Sequence, residues 1–377
     1  MKHVFFGADL FDGKKILKDH ALLVEDGVIS ALMPVGERPR DREATDLSGG
    51  TLSPGFIDVQ VNGGGGTLFN NEPTPEGIDK IAKAHRRFGT TSLLPTVITD
   101  SPKILDDALR AGKAAYGKIS GVLGLHVEGP FIDPVKKGAH PAEFIRALTD
   151  ADIEALAAAK AGVLLLTLAP NTVSPDHIRG LVHAGIRVSL GHSNATDIES
   201  IHAFDAGARA VTHLFNAMSQ CDARAPGLVG ATLADPRVIC GLIADGHHVA
   251  PTAIRAALAA KGPEGIALIS DAMPSAAGGP DHFTLQGRDV RRENNRLTLG
   301  AGTLAGADIT LIDAVHYALS IGISLADTLT MVTSTPARMI GLEEKIGALR
   351  PGMPADLVHL GPDHALLGVY QQGSRLD

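Results

Sequence analysis

The chain has 377 residues and carries a formal net charge of −8. This length allows one large core with a small additional domain, and the negative charge argues against non-specific binding to nucleic acid. No signal-peptide pattern or apolar run of membrane-spanning length is found, and Cys221 and Cys240 are too few for a disulfide framework. We therefore expect a cytoplasmic protein with reduced thiols that contacts neither nucleic acid nor membrane.

The first 49 residues are predicted to form short strands and turns. Alternating apolar residues surround Asp26-Gly27, a dipeptide typical of a two-residue hairpin turn. The end of the chain, residues 348–377, has the same character. Segments of this kind on both sides of a larger domain can pair, so we expect residues 1–49 and 348–377 to form one small β-sandwich domain.

The region between them, residues 50–347, is predicted to be an α/β fold, a (β/α)8 TIM-like barrel. Eight apolar runs alternate mostly with helix-like sequence, and three predicted helices open with Ser or Thr followed by Pro, an N-cap and N1 signal. Parallel strands that are covered by helices on one side and closed into a barrel have this pattern. The predicted strands are Leu52–Val61, Ser92–Ile98, Gly121–Val127, Val163–Leu168, Ile186–Leu190, Ala208–Thr212, Val238–Ile243 and Ile266–Ile269. The predicted helices include Thr74–Phe88, Ser101–Ala115, Ser174–Ala184 and Asn194–Ala206, and Phe283–Leu299 is predicted to be a hairpin-like excursion.

Four polar residues follow different predicted strands and indicate a metal-assisted hydrolase. They are Glu128, His192, His213 and Asp271. The carboxyl ends of barrel strands carry the active site in this fold, so these side chains are expected to meet. A carboxylate and two imidazoles can bind a divalent ion and leave one position open for water. The remaining aspartate can then accept and return a proton.

Other residues near the strand ends are open to more than one interpretation. Gly191-His-Ser193 approaches a nucleophile elbow, but a Ser193 hydrolase would leave Glu128 and His213 without a role. Arg224 suits recognition of an anion or is a solvated loop charge. His140 and one of the pair His247-His248 can face the same pocket.

Longer segments, in the same order along nearly the whole chain, resemble the N-acetylglucosamine-6-phosphate deacetylase family of the amidohydrolase superfamily. They include Pro54-Gly-Phe-Ile-Asp-Val-Gln-Val-Asn-Gly63, Gly124-Leu-His-Val-Glu-Gly-Pro-Phe131, Lys136-Lys-Gly-Ala-His140, Gly191-His-Ser193, Thr212-His-Leu-Phe-Asn-Ala-Met218, Ile243-Ala-Asp-Gly-His-His-Val249 and Ser270-Asp-Ala272. The resemblance implies removal of the acetyl group from N-acetyl-D-glucosamine 6-phosphate. Alternative substrates are an N-acetylgalactosamine phosphate and another N-acyl or cyclic amide. A further alternative is a non-catalytic protein that binds a phosphosugar.

The resemblance also implies a role for each matching residue. Glu128, His192 and His213 would be metal ligands, Asp271 the general base and then the general acid, and His140 the group that orients or polarises the amide carbonyl. The residues that would hold the sugar phosphate are Asn216, Ala217, Arg224 and His248, together with His140 as a substrate contact. A homodimer is implied, because phosphate-binding groups in this family can come from a neighbouring subunit.

One departure from the wider superfamily concerns the number of metal ions. Many amidohydrolases carry His-x-His after the first strand, whereas this chain has Gln60-Val-Asn62. Neutral amides are poor ligands for a transition metal, and no lysine ends the fourth strand to form a bridging carbamate. We therefore expect one divalent ion per subunit, Zn2+ before Fe2+ or another metal.

Overall fold

The structure is a computed structural model that describes residues 2–294, 296–299 and 304–376. Its strands are β1 Lys2–Phe6, β2 Asp9–Phe11, β3 Ile16–Leu17, β4 His20–Glu25, β5 Val28–Pro34, β6 Glu43–Asp46, β7 Thr51–Pro54, β8 Phe56–Val61, β9 Gly63–Gly64, β10 Thr67–Leu68, β11 Thr90–Ile98, β12 Gly124–Glu128, β13 Val163–Leu168, β14 Arg187–Leu190, β15 Ala210–Val211, β16 Ile239–Ile243, β17 Ile266–Ile269, β18 His282–Leu285, β19 Arg288–Glu293, β20 Arg296–Leu299, β21 Leu357–Leu360, β22 Leu366–Gln371 and β23 Ser374–Arg375.

Ten α-helices lie in the described part of the chain. They are α1 Pro75–Arg86, α2 Pro102–Ala115, α3 Asp150–Ala158, α4 Pro175–His183, α5 Asp197–Asp205, α6 Gly227–Ala234, α7 Pro251–Lys261, α8 Leu311–Ser320, α9 Leu325–Val332 and α10 Ser334–Met339. Three of the four predicted helix starts are confirmed, because the hydroxyls of Thr74, Ser101 and Ser174 each accept a backbone N–H three residues on. The helix predicted from Asn194 begins at Asp197 instead, after Thr196 as its N-cap. None of the described helices has the length and apolar character needed to cross a membrane.

Eight parallel strands form the barrel, in the order β8-β11-β12-β13-β14-β15-β16-β17. The first and last strands meet at their carboxyl ends, where Val61 pairs with Ala272. The N–H of Asp271 donates to the carbonyl of Gln60 over 3.0 Å. The predicted (β/α)8 barrel is confirmed, and its closing contacts lie beside a predicted site residue.

The predicted first strand, Leu52–Val61, is two strands in the structure. Gly55 separates them. Its N–H donates to the backbone carbonyl of Asp356 over 2.8 Å, and a side chain would not fit at this position, because a Cβ would lie 2.0 Å from the hydroxyl of Thr91. The first piece, β7, pairs with β21, whereas β8 enters the barrel. Both pieces are buried throughout, so the apolar pattern continues across the junction and hides it.

Strands from both termini form two further sheets. One has the order β5-β4-β1-β6 and the other β23-β22-β21-β7-β2-β3. Phe5 and Leu22 of the first sheet share a hydrophobic cluster with Leu52, Leu357 and Tyr370 of the second. The two sheets therefore pack on a core of their own. The boundaries predicted for this domain, residues 1–49 with 348–377, stay a prediction, and β7 pairs with these sheets from just outside them.

The excursion predicted over Phe283–Leu299 is an antiparallel sheet of β18, β19 and β20, with Asn295 outside the described residues. Leu285 and Val290 of this sheet cluster with Leu68, Ile98 and Met273 near the carboxyl ends of the barrel strands. The excursion thus covers part of the barrel mouth.

Asp58 is a buried carboxylate at the seam between the first and last barrel strands. It accepts the N–H groups of Gln60 over 3.2 Å and of Ser270 over 3.3 Å. Burial raises the pKa of Asp58 to about 7, although those hydrogen bonds favour the ionised form. The seam therefore contains a carboxyl group that is more easily ionised after unfolding than before.

This raised pKa predicts how stability depends on pH. Between about pH 4 and pH 7 the unfolded chain releases the Asp58 proton while the folded chain keeps it, so rising pH lowers the free energy of unfolding. Asp58→Asn removes this titration, so its free energy of unfolding relative to the wild type should rise by about 2–3 kcal/mol between pH 5 and pH 8. Urea denaturation at both pH values measures the difference. Asp176→Asn, where the carboxylate is 87% exposed, is the control, and equal pH dependence in wild type and Asp58→Asn would contradict the prediction.

Candidate metal centre and active site

The three predicted metal ligands meet at the barrel mouth. Glu128 ends β12, and His192 and His213 each lie two residues beyond a strand end. Glu128 Oε1 lies 3.1 Å from His192 Nε2 and 3.0 Å from His213 Nε2, and the two Nε2 atoms are 3.1 Å apart. Ligands of a tetrahedral ion with bonds of about 2.1 Å are about 3.4 Å apart. A small outward shift of this triangle therefore fits one divalent ion.

The backbone at the barrel mouth is strained at two of the predicted metal ligands and at the predicted general base. His192, His213 and Asp271 have φ values of 46°, 31° and 49°. This left-handed region costs a non-glycine residue about 1–3 kcal/mol and persists where surrounding structure enforces it. All three residues follow a strand, so the strain is concentrated at the rim that carries the polar groups.

The histidine rings are oriented by contacts outside the triangle. The Nδ1–H of His192 donates to the carbonyl of Lys136 over 2.9 Å, which leaves its Nε2 lone pair for a cation. His140 Nδ1 lies 2.8 Å from the hydroxyl of Thr99, and its ring centroid is 4.3 Å from that of His192. Glu128, His140 and His192 have potential ligand atoms within 4.8 Å of one another, so His140 borders the triangle.

Asp271 lies beside the triangle and is held by two amides. Its Oδ1 accepts Asn62 Nδ2 over 2.7 Å and Gln60 Nε2 over 3.1 Å. Gln60 Nε2 also donates to Glu128 Oε1 over 3.1 Å. Both amides therefore act as hydrogen-bond donors to carboxylates.

Burial and nearby charges shift the pKa values of Asp271 and His140. Burial, with the nearby charge of Glu128, raises the pKa of Asp271 to about 6, within the range that suits a group that both takes and returns a proton. Burial together with His192 lowers the pKa of His140 well below its usual range. His140 is therefore a neutral imidazole in this environment.

A cavity of about 380 Å³ connects these groups with the predicted substrate contacts. It is lined by Glu128, His140, His192, His213, Asp271, Asn216, Ala217 and His248. Arg224 does not line it and lies on an exposed loop. One chain thus brings together every predicted site residue except Arg224.

Several contributors to the site were not singled out from the sequence. Thr99 and the carbonyl of Lys136 orient two histidines, while Leu285, brought in by the excursion, forms part of the cavity wall. Asp245 stands in a motif already named from the sequence, but its hydrogen bond to the ring of His248, three residues on, was not predicted. The motif Asp245-Gly-His-His248 contains the signal for this last contact, because a turn places such residues side by side.

Known families and proteins match almost the entire chain. Residues 51–374 match the amidohydrolase family, and residues 5–52 match the NagA composite domain. The N-acetylgalactosamine-6-phosphate deacetylase of Shewanella sp. (strain ANA-3) is 40% identical over 375 residues, covering 97% of this chain and 95% of the relative. The N-acetylglucosamine-6-phosphate deacetylase of Haemophilus influenzae is 32% identical over 378 residues, covering 99% of each.

A solved structure has the same architecture. The crystal structure of N-acetylglucosamine-6-phosphate deacetylase from Pasteurella multocida superposes with a TM-score of 0.95 at 35% identity, covering 100% of both chains. This agreement extends over the barrel and the terminal sheets.

The triangle of donor atoms predicts a specific loss of metal. Glu128→Gln should reduce the divalent metal retained after dialysis from about one ion per chain to less than about a tenth, because an amide is a weak ligand. Metal analysis by mass spectrometry measures this. His247→Gln, an exposed histidine outside the cavity, is the control, and full retention by Glu128→Gln would show that Glu128 is not a ligand.

Proposed function

The chain belongs to the amidohydrolase family, and we propose that it removes the acetyl group from N-acetyl-D-glucosamine 6-phosphate, yielding D-glucosamine 6-phosphate and acetate. The main support for this function is that Glu128, His192 and His213 form a triangle of donor atoms in one cavity, with Asp271 beside it. A carboxylate, two imidazoles and a separate proton acceptor are the groups that metal-assisted amide hydrolysis requires.

Glu128, His192 and His213 hold one divalent ion in this proposal. When bound, the ion polarises the amide carbonyl and lowers the pKa of water. We propose Zn2+ as that ion, with Fe2+ as the alternative. Gln60 and Asn62 donate to carboxylates, and this supports a single ion.

Asp271 moves the proton. Its Oδ1 is held by Asn62 and Gln60, while Oδ2 accepts no hydrogen bond from the described residues and remains for the reactants. In the proposed reaction Asp271 takes a proton from the attacking water. It then returns that proton to the departing amine nitrogen, so one carboxyl group serves as base and then as acid.

His140 stabilises the oxygen of the amide. Thr99 Oγ1 is 2.8 Å from His140 Nδ1 and 3.4 Å from the carbonyl of Glu128. In this proposal the Thr99 hydroxyl turns from the Glu128 carbonyl and donates to Nδ1, so that the ring proton of His140 lies on Nε2. A neutral His140 can then donate from Nε2 to the developing oxyanion.

The phosphorylated end of the substrate is assigned to Asn216, Ala217 and His248, which line the cavity. Arg224 lies on an exposed loop and reaches phosphate only across a subunit interface in this proposal. Such an arrangement requires a homodimer. The location proposed for the enzyme is the cytoplasm.

N-acetyl-D-galactosamine 6-phosphate is the second candidate substrate, because the Shewanella relative is named for that activity. The two sugars differ only in the configuration of C4. Acetate release should be measured with both sugar phosphates on metal-loaded protein, with non-phosphorylated N-acetylglucosamine as the control. If kcat/KM is higher for N-acetyl-D-galactosamine 6-phosphate, that sugar phosphate is the substrate instead of the one proposed. Turnover of neither sugar phosphate would show that the substrate class is wrong.

Asp271→Asn tests the proton-transfer role. It should lower kcat by about 10²–10⁴-fold, because an amide cannot accept the proton, while bound metal stays at the wild-type level. Acetate release and metal analysis on the same sample measure both quantities. Asp41→Asn, at a carboxylate that is 77% exposed, should behave as wild type. Retained turnover in Asp271→Asn would contradict the assignment.

A further inference from the structure

A carboxylate and an imidazole form a buried pair in the loop after β16, on one side of the cavity. Asp245 Oδ2 lies 2.6 Å from His248 Nδ1, and the two side chains are 2% and 7% exposed. His248 lines the cavity, whereas Asp245 does not. The carboxylate therefore stands behind the ring as seen from the substrate.

The two oxygens of Asp245 have different partners. Oδ1 accepts the backbone N–H groups of His247 and His248, each over 2.8 Å. Oδ2 accepts the Nδ1–H of the His248 ring. Burial opposes ionisation of Asp245, but the His248 ring and the two N–H groups outweigh it and hold the pKa of this carboxyl below its usual value. Asp245 is thus an anion that orients both the loop and the ring.

The opposite edge of the ring is available to a ligand. Nδ1 is committed to Asp245, and Nε2 has no hydrogen-bond partner among the described residues. A ring fixed in this way needs little reorganisation when a ligand arrives.

We propose that Asp245 is a positioning residue for phosphate recognition: it fixes the His248 ring through Nδ1 and thereby aims the Nε2 edge at the phosphate monoester of the substrate. This inference rests on the proposed function. It explains how an anionic substrate is accepted in a cavity that also contains Glu128 and Asp271. The imidazole of the pair faces the cavity, and the carboxylate lies behind it.

Asp245→Asn separates this role from loop capping. The carbonyl oxygen of Asn can still accept the two backbone N–H groups, but its amide group donates toward Nδ1 and replaces the carboxylate oxygen that accepts from the ring. His248→Gln removes the ring and leaves the capped backbone N–H in place. His247→Gln, on the exposed neighbouring residue, is the matched control.

Kinetics with phosphorylated and non-phosphorylated N-acetylglucosamine give the first readout. Asp245→Asn should raise KM for the phosphorylated sugar about tenfold, because the ring is no longer held in place for its hydrogen bond to the phosphate. Its kcat should stay within about twofold of wild type, and kinetics with the non-phosphorylated sugar should not change. The double variant Asp245→Asn/His248→Gln should have the same KM for the phosphorylated sugar as His248→Gln alone, because both changes remove the same interaction.

Calorimetric binding of glucosamine 6-phosphate and of glucosamine gives a second readout that needs no turnover. Wild type should prefer the phosphorylated sugar, and Asp245→Asn should lose most of that preference. The proposal is overturned if Asp245→Asn keeps the preference for the phosphorylated sugar or weakens the binding of both sugars equally. It is also overturned if Asp245→Asn raises KM in the His248→Gln background as much as it does in the wild type. Failure of wild type to release acetate refutes the proposed function alone, because the binding comparison still decides the role of Asp245.

Discussion

The hydrogen bonds that close the barrel are the constraint on which the site depends. Gln60 lies on the first strand of the barrel and Asp271 lies two residues beyond the last one, and a backbone hydrogen bond of 3.0 Å joins them. The Gln60 side chain then reaches both Asp271 and Glu128. Closure of the sheet therefore also sets the distance between the proposed proton acceptor and the donor triangle. Asp58 supports the same seam from inside the barrel.

Electrostatics explains why the buried groups of the site are arranged as they are. Glu128 and Asp271 are both buried, and like charges in a dry environment oppose each other. Two amides donate to these carboxylates, and two imidazoles face Glu128. Such a set favours a cation at its centre. The pair of Asp245 and His248 applies the same principle at the cavity wall, with the carboxylate placed behind the ring.

The mouth of the barrel is completed by elements that are remote in the chain. Arg288 of the excursion donates to the carbonyl of Ala139, and Gln286 donates to the carbonyl of Thr99 over 2.7 Å. Both contacts lie next to His140 or to its hydroxyl partner. The excursion therefore braces the loop that carries His140, in addition to contributing Leu285 to the cavity wall.

The sequence alone determined the barrel and the polar residues at its rim, because strand periodicity, helix caps and residues at strand ends are local patterns. It did not show the break at Gly55, since both strands beside it are buried. Only the tertiary structure decided that Gln60 and Asn62 donate to Asp271, that Asp245 holds His248, and that Arg224 lies outside the cavity of its own chain. These contacts depend on side-chain directions and on loops folding back, and barrel closure rather than local sequence sets both.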